Sequence, residues 1–342
     1  MSYIKILFTI LLVSISNVSV ASTDPIADYK AEKISNNTWV IHGPMEFPTP
    51  ENEGFMNNPA FTVTDKSVVV FDPSSSLQAG EGVLKKIKNI TDKPVTHVFI
   101  THVHGDHWLG NQAIKAAYPD AKFYAHPQMI EEAIEGEAES WVNLMERLTK
   151  GATKGTVAVI PDLILSDGQA IKIDNITVRT YLDEWAHTKT DAMFVIPEEK
   201  VLITGDNVTY QRIARMTDGN FQGNIQSVAK AMTFDVDKVV PGHGPTGGKE
   251  VLESFHNYLQ TVYQASEQAI EDELEPYEVK AELLPKMTAY RQWAGFDDEF
   301  GRHISQAMLE AGSYTTTLLS VTVKAGLFMK PSFSGVGNSI GP

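Results

Sequence analysis

The chain has 342 residues, 42% of them hydrophobic, with no cysteine and a formal net charge of −15. A chain of this length buries a sizeable core without staples. The absence of thiols excludes cysteine nucleophiles, disulfides, thiolate-held iron–sulfur clusters and zinc sites built on sulfur. So acidic a chain repels a phosphate backbone at long range, and no basic stripe with interleaved aromatics offsets this, so nucleic acid is not an expected partner.

Lys5 precedes an apolar run at residues 6–15, and Ser19-Val20-Ala21 places small residues where a signal peptidase cuts. These three features predict a signal peptide over residues 1–21. A short membrane anchor is the alternative, but about ten apolar residues fall short of the roughly twenty needed to cross ~30 Å of hydrocarbon. The expectation is a periplasmic or secreted protein without stable membrane insertion. Removing residues 1–21 takes away one lysine and no acid, moving the net charge from −15 to −16.

Residues 37–41 read as a strand. Residues 43–58 carry three prolines, three acids and three asparagines, which predicts a long loop. Its Met45, Phe47, Phe55 and Met56 either tuck inward or cover a substrate, and Met45 and Phe47 are candidate substrate contacts. Apolar runs at 61–64 and 68–71 flank Asp65-Lys66 as a hairpin. Residues 77–89 predict a helix with Leu84 and Ile87 on one face. A strand at 96–100, a helix at 111–118 and a strand at 121–125 follow, an alternation that marks an α/β fold.

Residues 127–150 read as helical and acidic. The stretch 136–165, with Trp141 and Met145, either packs outside the domain or joins residues 43–58 in framing an apolar mouth. A hairpin is expected at 169–173 and 176–181, with strands at 192–196 and 200–204. Val239-Val240 then runs into Pro241-Gly242-His243-Gly244-Pro245. Residues 249–270, 276–287 and 297–311 have helical patterns. Residues 315–324 are β-branched and ambiguous, and the last dozen residues are rich in Gly, Ser and Pro. The expected organisation is a core over 22–245, a helical extension or outer helices over 246–313, and a tail over 314–342 that begins as a strand or lacks regular structure.

Chemistry concentrates in THVHGDHWLG, residues 101–110, at the exit of the 96–100 strand. In extended backbone the i, i+2 spacing aims His102 and His104 to one side. Gly105 lets the chain turn and present Asp106 and His107 to a neighbouring point. Packing explains such a cluster poorly, because Asp is seldom buried unpaired. Loops at strand ends are where catalytic groups tend to be held.

The run resembles the HxHxDH signature of the metallo-β-lactamase superfamily, and the resemblance extends over most of residues 37–245. A hairpin precedes the motif, at residues 61–71. A third histidine matches His187 in Ala186-His187-Thr188, a bridging acid matches Asp206 after the strand at 202–204, and a last histidine matches His243 between glycines. The resemblance implies a four-layer αββα sandwich, with the metals at one edge of its two sheets and additional C-terminal helices. It implies that His102, His104 and His187 bind one metal, that Asp106, His107 and His243 bind a second, and that Asp206 bridges them.

Coordination chemistry agrees with that implication. Three neutral imidazoles leave a position open for water, as in catalytic rather than structural zinc. Two ions about 3.5–4 Å apart lower the pKa of water toward neutrality, making a held hydroxide the expected nucleophile. Asp106 would also orient it. Two Zn2+ ions are the expected cofactors, with Mn2+ or Fe as alternatives. His97, His126, His42, His256 and His303 read as packed, hydrogen-bonded or supporting imidazoles. Trp108 reads equally as wall packing or as a substrate platform.

The pattern departs from the cysteine-bearing zinc lactamases, which place Cys where Asp206 stands and Lys where Thr209 stands. Lys189 and Arg212 are the cations that can substitute for that lysine. Asp206 instead resembles the glyoxalase II, lactonase, phosphodiesterase and sulfatase branches. The leading expectation is hydrolysis of an ester-like, lactone or amide-like bond in a small molecule. A β-lactamase is the runner-up, and a mononuclear iron dioxygenase and a non-catalytic binding protein are the other classes. The sequence carries no sign of oligomeric state.

Overall fold

A computed structural model describes residues 24–328, those beyond 313 as backbone. The expected signal peptide and the end of the tail, residues 329–342, lie outside the described residues.

The first sheet is built from β1 (Ala31–Lys33), β2 (Thr38–Ile41), β3 (Ala60–Val63), β4 (Val68–Phe71), β5 (Val95–Phe99), β6 (Lys122–Ala125) and β7 (Leu163–Ile164), in that spatial order. β1 to β4 pair antiparallel, and β4 to β7 pair parallel. Helices α1 (Leu77–Lys88), α2 (Gly105–Trp108), α3 (Asn111–Ala117), α4 (Pro127–Glu132) and α5 (Ala138–Leu148) connect these strands. The second sheet has the order β12-β11-β10-β9-β8, with β8 (Ala170–Ile173), β9 (Ile176–Leu182), β10 (Ala192–Ile196), β11 (Val201–Ile203) and β12 (Lys238–Val240). Helix α6 (Phe221–Ala231) precedes β12, and α7 (Lys249–Glu271), α8 (Pro276–Leu283) and α9 (Phe296–Phe328) follow it.

Side-chain alternation makes the layers. Successive residues of a strand point to opposite faces. Val69 and Phe71 therefore enter a core between the sheets with Phe99, Phe194, Ile196 and Ile203. Val68 and Val70 face the other way, onto Val83, Ile87, Ile114 and Met129 of the first helical layer. Met193, Val195 and Leu202 likewise turn outward onto α6 to α9. The rings of Phe71, Phe99 and Phe194 meet at centroid distances of 5.3–5.7 Å and lock the sheets face to face. The result is the αββα sandwich with additional C-terminal helices.

Local chemistry agrees with these elements. Ser76 caps α1 by accepting from the Ala79 N–H, and Lys85, Lys86 and Lys88 sit in its last turn, where the helix dipole favours cations. Helix α6 has no counterpart in the sequence reading. Its buried face mixes Phe221 and Val228 with Asn224 and Ser227, so few large apolar residues mark the helical period there, although Asn220 caps the helix by accepting from the Gly223 N–H. Residues 314–328 continue α9, so the strand entertained there does not form: a β-branched stretch yields to a helix already propagating from Phe296. Among the described residues no helix is long and apolar enough to cross a membrane.

Helix α9 does more than cover the second sheet. Glu299, His303, Gln306 and Glu310 recur on one face and hold the loop at 211–221. Glu299 pairs with Arg215 Nε at 3.4 Å, and His303 Nε2 donates to the Ala214 carbonyl at 2.9 Å. Gln306 Nε2 donates to the carbonyls of Met216 and Gly219, and Glu310 accepts from the Phe221 N–H at 2.8 Å. Replacing Gln306 with leucine strands two buried carbonyls, at about 1–3 kcal/mol each. The expected result is a loss of that order in denaturant unfolding; an unchanged midpoint would show that the loop holds itself.

In the loop 43–58, Phe55 and Met56 tuck inward and Phe47 stays 37% exposed at the tip. Glu53 is buried, with Oε2 lacking any partner, and burial followed by the nearby Asp24 charge pushes its carboxyl up from 4.5 to about 7. Between those values the folded chain keeps a proton that the unfolded chain has released, so stability falls as pH rises through the window. Glu53→Gln is expected to raise the melting temperature at pH 8 and to lose that advantage toward pH 5. An equal gain at both pH values would refute this account.

Candidate metal centre

The ligands gather where strands end. β5 delivers residues 101–107, the β9–β10 connection delivers His187, β11 delivers Asp206, and β12 delivers His243. β4, β5 and β6 run parallel, as do β11 and β12. Their carboxyl ends therefore open on a common edge of the sandwich.

Seven residues converge there in two sets: His102, His104, His187 and Asp206, and Asp106, His107 and His243. Within each set the ligand atoms all lie within 4.8 Å of one another. Asp206 links the sets, with Oδ1 3.2 Å from His107 Nε2 and Oδ2 3.3 Å from His243 Nε2 and 3.6 Å from His187 Nε2. Asp106 Oδ2 lies 3.3 Å from His243 Nε2, and His104 Nδ1 lies 3.1 Å from His187 Nε2.

Whether cations suit this cluster is decided by its unpaired atoms. His102 Nε2, His107 Nε2 and Asp206 Oδ1 are buried without a hydrogen-bond partner. Leaving such atoms unsatisfied is costly, and metal coordination is the remedy their chemistry allows. Four rings have their other nitrogen engaged. His102 Nδ1 donates to Thr101 Oγ1 at 3.0 Å, His104 Nε2 to Asp218 Oδ2 at 3.1 Å, His107 Nδ1 to Asp72 Oδ2 at 2.8 Å, and His243 Nδ1 to the Met56 carbonyl at 2.8 Å. Each such bond selects the tautomer whose free lone pair faces the centre. His187 is the exception, with Nδ1 unpartnered, and is held through its backbone N–H, which donates to Asn207 Oδ1 at 3.2 Å.

Electrostatics follow the same division. Burial, reinforced by neighbouring imidazoles, holds His102 well below its usual pKa, and burial drives His187 down to about 3. Both rings are therefore neutral, the form that binds metal. Burial opposes ionisation of Asp206, yet positive charge at His243 and His107, whose proton affinity the facing carboxylates raise, outweighs it and holds the carboxyl well below its ordinary range. A bound cation would supply that positive charge in place of the protons.

The family model for the metallo-beta-lactamase superfamily matches residues 54–243, more than half of the chain. The chain belongs to this superfamily. A probable metallo-hydrolase of Streptococcus pyogenes is 24% identical over 199 residues, 55% of this chain and 79% of that protein. A hydroxyacylglutathione hydrolase of Dictyostelium discoideum is 26% identical over 48% of this chain and 53% of its own length. Among solved structures, a metallo-beta-lactamase from Pontibacter korlensis superposes with a TM-score of 0.55 at 18% identity, covering 68% of this chain and 99% of that one. An inverting sec-alkylsulfatase from Pseudomonas sp. gives 0.64 at 14% identity, over 82% of this chain and half of its own. At such identities the structures speak for the fold alone.

The superfamily motif predicts the ligands but not what holds them. Asp72 follows β4 and accepts from the Thr101 N–H at 2.8 Å, from Thr101 Oγ1 at 2.7 Å and from His107. Its φ of +48 lies in the left-handed region, which Asp tolerates better than most residues. The one available signal was an acid ending an apolar strand. Beneath the His187 turn, Asp191 accepts from the N–H and hydroxyl of Thr188, both at 2.7 Å. Asn207, Asp183 and Ser227 form a further network, with Asn207 and Ser227 buried and Asp183 partly so. The glycines around His243 are steric: a Cβ on Gly242 would strike the Asp206 carboxylate, and one on Gly244 the Tyr210 carbonyl.

Trp108 is a correction. Its side chain is 0% exposed, packs in the first helical-layer core and donates Nε1–H to the Val103 carbonyl at 2.8 Å. Burial of the whole side chain makes it wall packing. Met45 lies beside Gly244, and the guanidinium groups of Arg212 and Arg215 lie over the Phe47 ring, at 5.1 and 5.0 Å from its centroid. Of the two substitute cations, buried Arg212 reaches the second ligand set, with Nη1 3.3 Å from His243 Nδ1, whereas Lys189 rests 4.9 Å over the Trp185 ring. His97 stacks on Tyr124, and His126 Nδ1 accepts from the Gln128 N–H to cap α4. A cavity of about 780 Å³ opens beside His104 between Trp141 and Trp185. Helix α5 walls this mouth; residues 43–58 instead border His243.

Proposed function

We propose that the protein hydrolyses an ester-like, lactone or amide-like bond of a small molecule, with zinc at both ligand sets and outside the cytoplasm. The observation that carries this reading is the double set of His and Asp donors gathered within 4.8 Å in each set, with His102 Nε2, His107 Nε2 and Asp206 Oδ1 buried and unpartnered. Bound cations there supply an acidified water and Lewis acidity toward a scissile carbonyl or phosphoryl group. The chain's own part is positional. Asp106 is the carboxylate placed to orient the nucleophile and hold its proton. Arg212, 4% exposed and without a carboxylate partner among the described residues, is placed to meet negative charge beside His243. The oxygen of Asp206 favours the general hydrolase branches over the cysteine-bearing lactamases.

Arg212 also favours a second reading, a β-lactamase in which this guanidinium takes the substrate carboxylate. The deciding experiment assays metal-quantified protein against a lactone, a thioester, a phosphodiester, an arylsulfate and a cephalosporin. Turnover of the lactone or thioester is expected. Cephalosporin turnover alone favours the second reading, and no turnover of any member removes both. One iron per chain would instead point to the dioxygenase class. Export is tested by fractionation, with the N-terminus of the purified protein expected at Ser22.

A further inference from the structure

Resting on the hydrolase reading, we infer that the cavity beside His104 is the subsite for the non-reacting part of the substrate, and that this part is an aromatic group carrying positive charge.

The walls are indoles fixed to the ligand loops. Trp141, on α5, packs against Gly105, and its ring centroid lies 5.0 Å from that of His104 at 46°. Trp185 is 44% exposed and donates Nε1–H to the Asp218 carbonyl at 2.8 Å, while the Asp218 carboxylate holds His104. Val103 and Leu144 add apolar surface. A group between the indoles therefore lies against a ligand of the first metal set. The volume, about 780 Å³, suits a small organic group with room for a linker, because ligand pockets commonly span roughly 300–1,000 Å³.

Charge decides the kind of group. Glu132, Glu135, Glu137 and Asp218 line the cavity against one cation, Lys189. Among the described residues, the lysine and arginine ion pairs include none of these glutamates and do not include Lys189. The three glutamates are therefore not neutralised by neighbouring cations, whereas the Asp218 carboxylate is engaged by His104. Lys189 instead lies over Trp185, a placement that shows this wall accepting a cation on its face. An anion entering here meets the repulsion of the rim, whereas a cationic aromatic group meets both the carboxylates and the indole faces. The other end of the site has the opposite sign, at Arg212. The two ends thus set the polarity of a substrate that spans the metals.

The test is equilibrium binding to the full, metal-loaded protein, by calorimetry and tryptophan quenching. The probes are benzyltrimethylammonium, benzyl alcohol and phenylacetate. The ammonium probe is expected to bind saturably and roughly tenfold more tightly than the alcohol at low ionic strength. Most of that margin should vanish at about 0.5 M salt, where screening shortens the reach of the rim charges. Trp141→Leu should weaken the probe roughly tenfold. The exposed Glu135→Gln/Glu137→Gln pair should weaken the ammonium probe and leave the alcohol unchanged. No saturable binding, equal affinity for ammonium and alcohol, or indifference to both variants would each overturn the inference. Phenylacetate that binds independently of Trp141 is lodged at the metals, and its affinity serves to separate the two ends. Because the readout is binding, a negative result leaves the hydrolase reading standing, and failure of every substrate leaves the binding preference of the cavity standing but not its role as a substrate subsite.

Discussion

Asp206→Ala is expected to abolish turnover and to lower metal content while the chain stays folded. The Asp206 carboxylate faces His107, His187 and His243 at once, so its loss removes the one group shared by both ligand sets. Removing a single preorganised group from a catalytic centre costs roughly 10²–10³-fold in rate, and a shared ligand should cost at least that. The fold should survive, because Asp206 lies at the sheet edge and belongs to none of the three apolar cores. Far-ultraviolet circular dichroism, metal analysis and turnover of the best substrate check the three parts separately. Retained turnover in a folded variant would remove the bridging role.

The second large effect is expected at Asp72, which touches no metal in this scheme. Its carboxylate accepts from Thr101 twice and from His107 once, and thereby fixes the tautomer of one ligand and the turn that begins the motif. Asp72→Asn keeps the shape and tolerates the positive φ but replaces one acceptor oxygen with a donor. Partners of this kind typically contribute 10–100-fold to metal affinity or activity. Competition with a chromophoric chelator should show a loss of that order in the second set. A lower melting temperature with unchanged metal affinity would mean that Asp72 serves the fold alone.

Both variants lie at the border between what a sequence shows and what it hides. Residues 102–107 form a local pattern: spacing along one strand exit decides which side chains share a side, so the motif is readable without the rest of the chain. His187, Asp206 and His243 each lie in a short string that the superfamily signature marks, and the structure brings all three to that exit. Asp72, Asp218, Met56 and Asn207 have no such string. Asp72 reaches His107 because β4 and β5 are neighbours in register, and Asp218 reaches His104 across 114 positions of sequence. Trp108 shows the converse. A large aromatic next to a metal motif suits both wall and platform, and the path of α2 into the core decides for the wall.

The helices tell a similar story. α1, α7 and α8 carry apolar periods or terminal signals that predict them locally, whereas α6, although Asn220 caps it, places Asn224 and Ser227 on its buried face among the apolar residues. Those polar groups have partners only in the folded state: Asn224 Nδ2 donates to the Asn207 carbonyl, and Ser227 Oγ to Asp183. By itself, the sequence determined the α/β class, the acidic character of the chain and the donor cluster at residues 102–107, because each follows from composition or short-range spacing, whereas His187, Asp206 and His243 joined the donor set through the resemblance to the superfamily. Only the tertiary structure decided which nitrogen of four of the histidines is free, which cation reaches the second metal set and which aromatics face the cavity. Those outcomes depend on hydrogen bonds and contacts between residues distant in the chain, which come into being when the two sheets close face to face.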